Sequence, residues 1–123
     1  MSDLSEVQAR VDRDVAEARA RMDAVDEGHK RWNRMEEAMD SVCEEAISIF
    51  DQVGRGEQAD EIQSHMAAHE RFELLLKVFA EDTGSLFSEA AEAGLTEDYE
   101  YCRLAFPALQ ELAKGVQDHR PGA

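Results

Sequence analysis

Between Leu4 and Val53, apolar residues return at every seventh position without losing phase. One set is Leu4, Val11, Ala18, Val25, Trp32, Met39, Ala46 and Val53. Four residues beyond its members, from Val11 onward, stand Val15, Met22, His29, Glu36, Cys43 and Phe50. In heptad terms the first set is d and the second is a. Every d position is apolar, although only 43% of the chain is hydrophobic. Chance produces that in one register about once in a thousand. The pattern predicts one long helix over residues 4–53.

The width of the apolar face divides this helix. Up to Trp32 the flanking positions are polar (Asp12, Arg19 and Asp26 on one side, Asp14 and Arg21 on the other), which is the narrow stripe of a two-stranded coil. From Met35 the flanks turn apolar, with Val42, Ile47 and Ile49, as in a helix buried in a bundle. Fifty helical residues run about 75 Å, while a compact domain of this size is about 35 Å across. Residues 4–32 are therefore expected to project and pair as a parallel homodimer through Leu4, Val11, Val15, Ala18, Met22, Val25, His29 and Trp32. Across such a pair, Asp14 faces Arg19 and Arg21 faces Asp26. His29 would weaken the pairing when protonated near pH 6. The opposing possibility is a bend at Gly28 that folds the segment back on its own bundle. Four intrahelical pairs have the favoured spacing, Glu6–Arg10, Glu17–Arg21, Asp26–Lys30 and Glu27–Arg31, each contributing about 0.2–0.5 kcal/mol. Continuity is favoured by the unbroken phase and by the last two, which span Gly28.

The rest of the chain reads as shorter helices. Ser5 with Gln8, or Ser2, can cap the first helix, and Gly54-Arg55-Gly56 ends it. Asp60 with Gln63 can cap a second helix whose inner stripe is Ile62, His65, His69, Phe72, Leu76 and Phe79. Asp82-Thr83-Gly84-Ser85 closes that helix, and a short one runs from Ser85 to about Ala93. Gly94 suits a C′ position and Thr96 an N-cap. The last helix, over about 97–118, turns Tyr99, Cys102, Phe106, Leu109, Leu112 and Val116 inward, and Pro107 should kink or split it. The tail His119–Ala123 is expected to fray. No internal repeat, low-complexity tract or interdomain linker is visible. The expected fold is an all-α helical bundle in one domain, 1–123, with its core in 33–118.

Composition agrees and adds a surface. The 123 residues include 7 Gly and 2 Pro, which suits helices. Against 28 Asp and Glu there are 13 Lys and Arg, a net charge of −15. That balance argues against reading nucleic-acid phosphates or binding anionic membranes. The chain shows no signal-peptide pattern and no apolar run long enough to span a bilayer, so a soluble cytoplasmic protein is expected. Its two cysteines are too few for a disulfide framework.

The signs are also segregated. Residues 35–54 hold Glu36, Glu37, Asp40, Glu44, Glu45 and Asp51 with no base. Residues 78–102 hold Glu81, Asp82, Glu89, Glu92, Glu97, Asp98 and Glu100, again with no base. Uncompensated acidic tracts attract basic partner surfaces, including surfaces that otherwise bind phosphates. The function expected from this pattern is a non-catalytic adaptor or inhibitor.

Two arrangements offer chemistry instead. A tight turn at Gly54–Gly56 would make the first two long helices antiparallel and set Cys43 level with His65 and His69. Two imidazoles and a thiolate, with Cys102 as a further candidate, suit Zn²⁺. The order His29-x-x-Trp32, Cys43, His65-x-x-x-His69 resembles that of chemoreceptor-type zinc-binding domains, and His65 to Phe72 is also similar to a hemerythrin motif. The chemoreceptor resemblance implies a zinc site of histidines and a cysteine. On a continuous helix His29 lies about 21 Å from Cys43, which leaves Cys43, His65 and His69 as the ligand set. The other arrangement pairs Glu37 and Asp40 with Glu70 and Glu73, an acidic cluster suited to Mg²⁺ and phosphate chemistry of the all-α nucleotide pyrophosphohydrolase kind.

Overall fold

The computed structural model describes residues 4–117, which form six helices and no strand. They are α1 Leu4–Asp23, α2 Gly28–Gln52, α3 Gly56–Gln63, α4 Ala68–Glu81, α5 Ser85–Glu92 and α6 Thr96–Lys114. None is long and apolar enough to cross a membrane. Ser2 and the tail from His119 lie outside the described residues.

The predicted rod over 4–53 is two helices. The backbone leaves the helix at Ala24 and re-enters at Gly28, with Glu27 extended at φ −78° and ψ 129°. Arg31 holds the break: its guanidinium donates to the Met22 carbonyl at 2.9 Å and to Asp23 at 3.3 Å. Of the four expected intrahelical pairs, Glu17–Arg21 forms at 2.7 Å. Arg10 instead crosses to Glu45 on α2, in two bonds of 2.9 and 2.8 Å. Folding back buries Val7, Val11, Ala18 and Met22 within the chain, and at about 25 cal/mol per Å² this outweighs one interrupted turn. The heptad keeps its phase across the break because both halves turn the same stripe into one core. Of the stripe assigned to a dimer, Val11, Ala18, Met22 and Trp32 are buried in this chain, Val15 and Val25 are half-buried, and Leu4 and His29 are exposed.

Cross-helix contacts give the helix directions. Arg10–Glu45 and Arg31–Met22 set α1 antiparallel to α2. Glu36–His69, Asp40–Arg71 and Phe50–Phe79 advance together, so α2 and α4 run parallel. Phe72–Phe106 and Phe79–Tyr99 set α6 antiparallel to α4. Four long helices thus run one way, back, back again and forward, with α3 and α5 as short returns. Phe79 is the centre of the core, its ring 6.4 Å from Phe50, 5.5 Å from Phe106 and 5.3 Å from Tyr99.

The parallel pair reflects an internal repeat that residue identity hides. Shifting by forty residues lays α2 and α3 on α4, α5 and the start of α6. The Met22 carbonyl accepts from the Val25 amide, and that of Ile62 from His65; the carbonyls of Glu27 and Ala67 each accept from the third and fourth residues beyond. Gly54 and Gly94, at φ 81° and 75°, close matching Schellman turns in which Arg55 donates to Phe50 and Leu95 to Ala90. Identity is confined to a few positions, such as His29/His69, Arg31/Arg71 and Gly54/Gly94. Burial pattern and turn geometry carry the repeat.

The same repeat corrects the second helix. The stripe predicted from Ile62 through His69 is interrupted at Ser64–Ala67, where the chain makes the turn it makes at Ala24–Glu27. Asp60 lies inside α3 and does not cap a helix start. Pro107 does not split α6, which runs through it with the ring on the exposed face.

Candidate interaction surface

The helix directions gather the base-free tracts at one end of the bundle. The C-terminal halves of α2 and α4, the N-terminal turns of α3 and α6, and α5 all meet there. Asp51, Glu57, Glu81, Glu92 and Glu97 are exposed at this end. Lys77 stands on α4 one turn before Glu81; Arg10 and Arg55 are engaged within the fold. Arg10 holds Glu45 and stacks over the Tyr101 ring at 3.7 Å. Arg55 is bound by Glu89, with which it forms a short ion pair, and donates to Ser85 at 3.2 Å.

Two half-buried networks fix this end. Tyr101 donates to Asp14 at 2.5 Å, joining α6 to α1 beside the Arg10–Glu45 pair. Burial, and then the bond to Asp14, push the Tyr101 hydroxyl well above its usual range. Burial also raises the Glu45 carboxyl, with nearby Asp98 adding to it, by more than Arg10 draws it down. In the second network Asp82 caps α5, accepting from the Leu86 and Phe87 amides at 3.0 and 3.1 Å and from the Tyr99 hydroxyl at 2.7 Å. Burial raises Asp82, but these hydrogen bonds outweigh it and leave the carboxyl below its ordinary value. Thus Glu45, Asp82 and Glu89, expected from the charge pattern to be docking groups, are spent on the fold, as are Glu36, Glu37, Asp40 and Glu100. Those four sit beside His69, Arg34, Arg71 and Arg103. Of the acidic residues that the charge pattern singled out, Glu44, Asp51, Glu81, Glu92 and Glu97 face solvent outside the ion pairs of the described residues, joined by Glu57 on α3.

The helix ends sharpen the contrast. A helix C-terminus carries partial negative charge and favours a base, by about 0.3–1 kcal/mol. At the opposite end of the bundle α1 and α6 follow that rule, with Arg21 and Lys114 in their last turns. At the acidic end α2 and α4 have no base in their last turns and carry Asp51 and Glu81 there.

The proposed metal ligands do not converge. Among the described residues, no group of three or more His, Cys, Asp or Glu side chains is arranged to hold a metal ion. Cys43 is buried on α2, and burial pushes its thiol up to about 12. Arg71 acts on it from α4 and bonds Asp40 at 3.1 Å, so a guanidinium lies where the zinc reading set a cation. His65 stands in the α3–α4 turn, 3.5 Å from Glu70. His69 lies 3.6 Å from Glu36, with its Nδ1 buried and lacking a hydrogen bond, and its ring 6.1 Å from Trp32. Cys102 is buried on α6, and burial raises its thiol well above the ordinary value. The Mg²⁺ quartet is likewise dispersed: Glu37, Asp40 and Glu70 each have a basic neighbour, and Glu73 lies beside Lys77 in a separate cleft.

Comparisons with protein-family models, curated proteins and solved structures return no match.

Proposed function

We propose that the protein is a non-catalytic interaction module that docks the acidic end of its bundle on a basic protein surface, as an adaptor or an inhibitor. The supporting observation is where the carboxylates stand. Asp51 and Glu81 occupy helix C-termini at which they destabilise the fold, and no base in the last turn of either helix offsets them. Function and stability trade off where a site is kept for a partner, and carboxylates at these two positions fit that pattern. Lys or Arg side chains on that partner would supply the missing charge, and their bonds to carboxylate would be charge-assisted.

Charge reversal tests this directly. One variant carries Asp51→Lys, Glu81→Lys and Glu97→Lys; a control with the same net charge carries Asp26→Lys, Asp60→Lys and Glu111→Lys, away from that end. Proteins captured from a native extract should elute at about 0.3 M salt, stay with the control and be lost from the first variant. Thermal unfolding should show that variant as stable as the parent or more so. Equal loss from both variants, or capture indifferent to salt, would refute the reading.

A further inference from the structure

The repeat places two equivalent grooves on the molecule, and in one of them a third helix forms a wall. A forty-residue shift carries Ala18, Arg21, Arg34 and Ala38 of the α1–α2 hairpin onto Gln58, Glu61, Leu74 and Val78 of the α3–α4 hairpin. Each set lines a cleft between its two helices. In the first hairpin the far wall is α6, which contributes Tyr101 and Leu109. The polar groups there are satisfied locally, by Arg21–Glu17 at 2.7 Å and Arg34–Glu37 at 2.8 Å. In the second hairpin no helix of the described residues stands opposite: the lining comes from α3, α4 and the turn between them, around a cleft of about 310 Å³.

The chemistry of the second groove has changed to match. Leu74 stands where the first hairpin has Arg34 and is 37% exposed. Ile62 and Val78 form the floor beside it. Met66, at the turn, is 94% exposed. The rim is acidic, with Glu61, Glu73 and Glu81, and Lys77 is the cation among them.

We infer that the α3–α4 groove docks a basic amphipathic helix of a partner protein. This rests on the acidic docking reading above and gives its partner a shape. A helix is indicated because the repeat-related face accepts α6. One apolar side is indicated by Leu74, Ile62 and Val78, and basic flanks by the glutamate rim. Helix-in-groove recognition of this kind uses apolar anchors one turn apart. The 14 residues of α4 give about 20 Å of groove, enough for about four turns.

The probe is a synthetic peptide of about four helical turns with leucines along one face and lysines elsewhere, compared with a scrambled peptide of equal composition. Titrated into isotopically labelled protein, it should perturb amide resonances along α3, the turn and α4. It should bind at least about tenfold more tightly than the scrambled peptide and lose at least about tenfold in Leu74→Glu. Circular dichroism should show that this variant keeps its helix content. Equal binding of both peptides, or perturbations centred on Asp51 and Glu97, would overturn the groove. The charge-reversal capture would then still stand on its own result, so the two readings fail separately. Sedimentation showing a dimer that Leu74→Glu abolishes would also overturn it, since a second copy of the chain would be the occupant.

Discussion

Arg31 and Arg71 stand forty residues apart and play the same part in the fold, each guanidinium reaching back over a helix break to bind carbonyls at the break. Arg31 takes the Met22 carbonyl, and Arg71 takes those of His65 and Met66 at 2.5 and 2.8 Å. Arg71 adds a bond to Asp40 across the α2–α4 contact.

These two arginines should therefore differ in weight. Arg71→Ala is expected to cost about 2–3 kcal/mol, through two orphaned carbonyls and an unpaired Asp40. Arg31→Ala, which leaves the Met22 carbonyl its bond from the Val25 amide and releases an exposed aspartate, should cost about 0.5–1 kcal/mol. Urea unfolding followed by circular dichroism measures both; equal losses would mean that the α2–α4 bond adds nothing.

The glycines of Gly54-Arg55-Gly56 should separate cleanly. Gly54 has φ 81°, so Gly54→Ala strains the turn and should cost about 1–2 kcal/mol. Gly94→Ala, in the matching turn, should cost the same. Gly56 begins α3 with open space about it, and its repeat counterpart is Thr96. Gly56→Ala should therefore stabilise, by about 0.4–1 kcal/mol. Shifts in melting temperature give the three signs.

Acid should loosen the corner made by α4, α5 and α6. The Asp82 carboxyl lies below its ordinary value when folded. Its stabilisation is therefore full above about pH 4, the unfolded value, and is lost as pH falls through the lower folded value. Glu89, lowered mainly by the Arg55 bond, acts in the same sense. Glu45 is raised, so the cost of its burial is relieved as pH falls, the opposite sign. The Asp82 contribution is therefore read as a difference. Asp82→Asn should be less stable than the parent at pH 7, and the gap should narrow at pH 3. A gap constant from pH 7 to pH 3 would contradict the linkage.

Both thiols should be inert in the native state. With Cys43 pushed up to about 12 and Cys102 raised by burial, thiolate at Cys43 at pH 8 falls about a thousandfold below that of a free cysteine. Mass spectrometry after iodoacetamide treatment should find both unmodified in native protein and both modified in urea.

The all-α class was legible in the stripe of apolar residues, and so were the breaks at Gly54, Gly84 and Gly94, where backbone conformation demands glycine. The breaks at Ala24–Glu27 and Ser64–Ala67 were not. Neither contains proline or a left-handed residue, and each is held by an arginine from the following helix. Such a break is a tertiary choice: local propensity favours continuing the helix, and burial of α1 against α2 and α6 overrides it. The heptad alone also could not name what covers it, because an antiparallel hairpin satisfies the same stripe as a second chain would. Of the acidic residues singled out, sequence could not separate Asp51 and Glu81, which are free, from Asp82 and Glu89, which are engaged. That distinction rests on Tyr99 and Arg55, 17 and 34 residues distant.

The arrangement of helix ends has a consequence for approach as well as contact. With unpaired carboxylates gathered at one end, and Arg21, Arg34 and Lys114 at the other each matched by a glutamate, the bundle carries its negative charge unevenly along its own axis. In the field of a positively charged surface it experiences a torque before it touches anything, and the acidic end turns to lead. Orientation is then settled in solution, within about a Debye length of 8–10 Å, and shows in the association rate and its dependence on ionic strength.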